Sequence, residues 1–170
     1  SEAIIILTNV LEDLQQEPMV RHEAAEALGA ICKIDVIPLL EKYKSDDVIE
    51  VAETCELALD RIKYYTTVNN KVISGNPYKS VDPAPPSDII DVKELKNILL
   101  NENELLFNRY RAMFALRNLR TKDSVLTLCE GLKCKSALFK HEIAFVLGQL
   151  QDENSVCALK ESLRNINENE

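Results

Sequence analysis

Residues 20–29 read VRHEAAEALG and residues 139–148 read FKHEIAFVLG. They align without gaps on one another, and also on VAETCELALD at 51–60 and NRYRAMFALR at 108–117. The first two segments in chain order lie 31 residues apart, and so do the last two; the step between the pairs is 57. Each segment reads as a helix. In the first, Val20, Ala24, Ala27, Leu28 and Ile31 share one face at helical spacing. A helix recurring at a period near 31 residues is the mark of a repeat array whose units each pack on their neighbours.

Second helices lie beside these. Ile4, Leu7, Leu11 and Leu14 make one stripe, and Val156, Leu159, Leu163 and Ile166 make the same stripe near the other end. DVIPLL from Asp35 and DSVLTL from Asp123 open two more, each with a carboxylate where an N-cap is wanted. Pro18 suits the first turn of its helix. The reading is an all-α fold, a HEAT-like helical-repeat solenoid in two blocks, residues 1–64 and 91–170. Between them, residues 65–90 hold Gly75, Pro77, Pro83, Pro85 and Pro86, a spacing that forbids a regular helix. This stretch is expected to be an extended surface linker, pinned by Val72, Ile73, Tyr78 and Val81.

Charge narrows the partners. Of the net −8, the whole resides in residues 1–64, with six Lys/Arg against fourteen Asp/Glu; residues 65–170 hold fourteen of each. Nucleic acid is therefore not an expected partner, because phosphate contacts need a basic surface, whereas a cationic partner suits the first block. No apolar run approaches the roughly 20 residues that span a bilayer, so no membrane partner is expected. Five cysteines without a CxxC, mostly on apolar helix faces, read as reduced, buried thiols of a cytoplasmic protein.

The chain has two histidines, His22 and His141, and each is followed by glutamate, Glu23 and Glu142, at the same register of its repeat. Imidazole and carboxylate together are ligands for iron, zinc or manganese. Neighbours on a helix project about 100° apart, so one pair does not chelate an ion alone, but pairs facing one another would. A carboxylate early in a helix is also favoured by the helix dipole, so residue type alone does not make a site. The sibling segments carry Glu53-Thr54 and Tyr110-Arg111 at the matching positions, so the pair is not a general repeat signature. HExxH is absent, since Glu26 and Phe145 stand where the second His would be. Gly29 and Gly148, seven residues beyond each His, would let a side chain or a facing helix approach closely.

These motifs resemble the deoxyhypusine hydroxylase family. EPMVRHEAAEALGAI at 17–31 is similar to the family's second His-Glu motif, and SALFKHEIAFVLGQLQDE at 136–153 to its third. DVIEVAETCELALDR at 47–61 and NRYRAMFALRNL at 108–119 resemble the neighbouring repeats, and PYKSVDPAPP at 77–86 resembles the family's inter-half linker. The resemblance implies a HEAT-repeat di-iron monooxygenase with two Fe ions and dioxygen as co-substrate. Its substrate would be the deoxyhypusine side chain of a translation factor, hydroxylated to hypusine. It also implies that His22, Glu23, His141 and Glu142 are iron ligands, and the acidic first block makes Glu26 the candidate for gripping a substrate amine. Such enzymes carry four His-Glu motifs, and the first and fourth have no counterpart here. The chain is thus expected to match the middle of the enzyme and to be inactive alone, unless a homo-oligomer brings four motifs face to face. The reading held against this is a HEAT-type scaffold that grips a protein without chemistry; a phycobilin-lyase-type repeat protein lacks an evident chromophore cysteine.

Overall fold

The computed structural model describes residues 2–67 and 76–166, and every regular element among them is helical. In chain order these are α1 (Glu2–Glu12), α2 (Pro18–Ile31), a 3-10 turn at Ile34–Val36, α3 (Ile37–Tyr43) and α4 (Ile49–Thr67). There follow α5 (Val92–Leu100), α6 (Leu106–Leu119), α7 (Lys122–Gly131), α8 (Ala137–Leu150), a 3-10 turn at Glu153–Ser155, and α9 (Val156–Arg164). The four aligned segments lie inside α2, α4, α6 and α8, so the repeat reading holds and the fold class is all-α with HEAT-like helix pairs.

Local chemistry explains where the helices start and stop. Pro18 opens α2, where its missing N–H costs no bond. The helix ends because Cys32 turns left-handed at φ 56°, its N–H reaching the carbonyls of Leu28 and Gly29. Arg120 (φ 52°) and Gln151 (φ 51°) end α6 and α8 in the same conformation. Two expected caps stand elsewhere. Asp123 lies within α7, whose cap is Thr121: Ser124 N donates to the Thr121 hydroxyl at 3.2 Å, and Thr121 N donates to Ser124 Oγ at 3.1 Å. This reciprocal box satisfies two orphan donors where a lone Asp would satisfy one. Asp35 lies inside the 3-10 turn, and α3 starts without a side-chain cap. Replacing Thr121 with alanine is expected to cost about 1 kcal/mol, read as a lower urea midpoint.

The chain divides into two compact units, Ser1–Ile73 with Val81–Ala84, and Ser74–Ser80 with Pro85–Glu170. In the first, α1 packs on α2, and α2 and α3 pack on α4, around Leu11, Ala25, Leu28, Leu40, Val51, Cys55 and Ile62. In the second, α5 packs on α6, and α7 packs against α5, α6 and α8, around Leu99, Met113, Phe114, Leu128, Phe139 and Ile143. One device recurs in both. Arg21 Nε donates to Leu11 O (3.1 Å) and Arg109 Nε to Leu99 O (2.9 Å), so in each unit the second residue of the first aligned segment bonds a carbonyl in the last turn of the helix before it. The sequence stripes are shorter than their spacing suggests: Leu14 and Ile166 fall beyond α1 and α9 and are exposed, as is Val20 in the first turn of α2.

Between α4 and α5 the described residues form no helix. Tyr78 lies between the guanidinium groups of Arg117 (4.8 Å) and Arg120 (4.9 Å), and Arg120 Nε donates to its hydroxyl at 3.1 Å. Val81 is exposed instead of pinned, and Pro83, Ala84 and Pro85 are buried. Val72 and Ile73 lie outside the described residues. No described helix is long and apolar enough to cross a membrane. All five cysteines are free; Cys55, Cys129 and Cys134 are buried, Cys32 is half-buried and Cys157 is exposed.

Candidate metal centre

Helices α2, α6 and α8 each have 14 residues, and His22 and His141 are both the fifth residue of theirs. The position is therefore built identically by the backbone, and only the surroundings differ. The His22 side chain is buried, with its Nε2 2.9 Å from Met19 Sδ and 3.8 Å from Glu23 Oε1. Glu23 is 63% exposed, so this pair joins a buried imidazole to a carboxylate at the surface. In α8 the order reverses: His141 is exposed and Glu142 half-buried. At the same register of α6, Tyr110 is buried against Phe139, with ring centroids 5.1 Å apart.

Glu26 follows His22 by one turn and is half-buried. Burial is the main force pushing its carboxyl up to about 7, and the nearby Glu23 and Asp82 charges add to it, while Arg61 opposes. Arg61 itself is a fastener. Its Nη1 donates to Gly29 O (2.9 Å) and Ala30 O (3.3 Å) at the end of α2, and its Nε donates to Asp82 O (3.2 Å). The guanidinium also lies 4.8 Å from the Tyr65 ring centroid. Next to His22, Arg21 forms a two-pronged pair with Asp46 at 3.1 and 2.6 Å. Helix α2 is thus held at both ends, by Arg21 before the His-Glu pair and Arg61 after it.

The structure brings His22, Glu23 and Glu26 together on one helix of the first unit; His141 and Glu142 stand on the second. Among the described residues, no three His, Cys, Asp or Glu side chains converge as a metal-binding group. Sequence reading missed Arg61 and Asp82 beside Glu26. The visible signal was a cation just past an aligned segment and an Asp flanking Pro83, neither of which names a partner.

A repeat profile described as PBS lyase HEAT-like repeat matches residues 20–46 and 109–134, which cover most of α2 with α3, and most of α6 with α7. The chain is 58% identical over 171 residues to the deoxyhypusine hydroxylase of Drosophila melanogaster, covering 100% of this chain and 56% of that protein. It is 53% identical over 169 residues to the human enzyme of the same name, covering 99% and 56%. The solved structure of human deoxyhypusine hydroxylase in complex with glycerol superposes with a TM-score of 0.95 at 52% identity, over 99% of this chain and 58% of that one. The chain therefore spans about half the length of the curated relatives it matches. Along the whole of its own length, the chain matches deoxyhypusine hydroxylases in sequence and in fold.

Proposed function

We propose that these 170 residues supply part of the catalytic body of a deoxyhypusine monooxygenase acting on a translation factor in the cytoplasm, with two iron ions and dioxygen. The observation that carries the reading is the 58% identity, along the whole chain, with a named deoxyhypusine hydroxylase, joined to two His-Glu pairs at one register. The donor set fits the metal: imidazole nitrogen and carboxylate oxygen suit iron, and thiolate-rich sets that favour zinc or copper are not what these helices present. His22, Glu23, His141 and Glu142 would hold it. Bound iron supplies the activation of dioxygen, which protein side chains do not provide.

The remaining steps belong to the chain. Arg21 and Arg61 hold α2 in place, so that the donors on it stay in a set orientation. The carboxylates of the first block attract a polyamine-like substrate, and Glu26 accepts one of its ammonium groups at the edge of the buried region. Free thiols throughout suit a reducing compartment. Two motifs are half of a four-motif set, so the chain alone is expected to bind iron weakly and to give no turnover.

The test is iron content, visible spectrum and hydroxylation by a longer protein that carries four motifs. His22→Ala is expected to abolish both bound iron and turnover while the far-UV circular dichroism is retained. A longer protein that holds no iron, or a His22→Ala variant with iron and turnover intact, would overturn the enzyme reading and leave only the scaffold.

A further inference from the structure

We propose that Cys134 is a site of oxidative modification: taken by a peroxide to its sulfinate, it supplies the buried Arg109 with the anion that Asp46 supplies to Arg21. The two arginines are built alike. Each donates through Nε to the carbonyl ten residues before it, Leu11 O and Leu99 O. The residue 25 positions after Arg21 is Asp46, which closes the two-pronged pair. The residue 25 positions after Arg109 is Cys134, in the turn between α7 and α8. Arg109 is 5% exposed, and its Nη2 has no hydrogen-bond partner among the described residues. A buried donor left in this way is costly, and more so on a charged group. The Phe139 ring, with its centroid 4.5 Å from the guanidinium, offsets part of that cost. Glu102 is near enough to feel the Arg109 charge but is taken by Lys135, whose backbone N–H it accepts at 2.9 Å and whose Nζ lies 3.0 Å away. All of these groups but Arg21, Leu11 and Asp46 belong to the second compact unit.

Cys129 sets the contrast. It is 9% exposed, as Cys134 is, but it lies inside α7. Burial raises its thiol, and the Asp152 charge adds to the rise. Burial also raises the Cys134 thiol, but there the Arg109 guanidinium draws it back down. Cys134 is flanked in its turn by the exposed Lys133 and Lys135. Its thiolate attacks one peroxide oxygen: an S–O bond forms, the O–O bond breaks, and the departing hydroxide takes a proton and leaves as water. A second peroxide repeats the step and gives the sulfinic acid, which loses its proton to solvent. Each step oxidises sulfur by two electrons and consumes one peroxide. The sulfinate carries two oxygens on one centre, as a carboxylate does, and so matches the paired N–H groups of a guanidinium. Helix α6 is then tied to the turn before α8, as α2 is tied to the turn before α4. The proposal requires neither metal nor turnover, and its failure leaves the proposed function untouched.

Hydrogen peroxide treatment of the 170-residue chain, followed by peptide mass mapping, decides it. Two oxygens are expected on Cys134 on the order of tenfold faster than on Cys129, whose exposure is the same. The treated protein is expected to unfold at a higher urea concentration than the untreated one, and Cys134→Ser to show no such rise. Cys134→Asp installs the anion without oxidation and is expected to raise the urea midpoint before any treatment. Arg109→Gln removes the cation, and in that background Cys134→Asp is expected to lower the midpoint. Oxidation of Cys134 no faster than that of Cys129, a rise that persists in Cys134→Ser, or a Cys134→Asp chain less stable than the wild type would overturn the proposal.

Discussion

Replacing Asp46 with alanine is expected to lower the unfolding free energy by about 3–5 kcal/mol, as breaking a buried ion pair from one side does. Asp46 and Arg21 are 25 residues apart, and their side chains are 7% and 4% exposed. Arg21 cannot shed its proton, so its charge would stay in place without its carboxylate. Asp46 also accepts the backbone N–H of Val48 at 3.0 Å, which shapes the entry to α4. The two contacts together tie α2 to the turn before α4. The hydrogen bond to Arg21 is the main reason the Asp46 carboxyl titrates below the usual carboxylate range. A depressed folded-state pKa gives stability that is present above the unfolded value near 4 and is lost as pH falls through the folded value. Wild-type protein should therefore lose this contribution below about pH 4, and Asp46→Asn should flatten that part of the stability profile. Urea unfolding followed by circular dichroism, at neutral pH and in acid, measures both. A loss under about 1 kcal/mol for Asp46→Ala would show the pair to be ornamental.

Gly29→Ala is expected to destabilise by about 1–3 kcal/mol although it adds a better helix former. A Cβ at position 29 would lie 2.6 Å from Ala58 Cβ and 3.0 Å from Ala58 Cα, so α2 and α4 would have to part there. Backbone on the far side cannot yield as a flexible side chain would. Parting the helices would also stretch the Arg61 bonds to the carbonyls of Gly29 and Ala30. The matched glycine behaves oppositely. Gly148 has no atom within 4 Å of an added Cβ, so Gly148→Ala should gain up to about 1 kcal/mol from helix propensity. Ala58→Gly placed with Gly29→Ala should recover the steric share of the loss. Urea midpoints of the three variants settle the matter, and a gain in stability for Gly29→Ala would refute the close-packing account.

The contrast between these glycines shows what repeat spacing conceals. Positions 29 and 148 align, and both end the same aligned segment. Only Gly29 meets a neighbouring helix. The two His-Glu pairs behave alike: the register was visible in the sequence, yet His22 is buried and His141 is exposed. Helix α5, which carries none of the aligned segments, is capped by Asp91, with Glu94 N donating at 2.8 Å, and buries Leu95 and Leu99. The caps at Thr121 and Ser136 were likewise within the sequence, but several polar residues compete at each helix start, and the winner depends on which hydrogen bond closes.

What the sequence determined by itself is the repeat: that the four aligned segments are helices, the register they share, the place of both His-Glu pairs in it, and the proline-marked break between the second and third of those segments. Each of these follows from 3.6-residue periodicity, proline's missing donor and self-similarity, which are properties of neighbours along the chain. Only the tertiary structure decided which face of each repeat is buried, that Arg61 and Asp82 stand around Glu26, that Gly29 is a contact and Gly148 is not, and that Arg21 finds Asp46. Those outcomes depend on residues 25 and more positions away, and desolvation and packing act between surfaces that the order of the residues does not reveal.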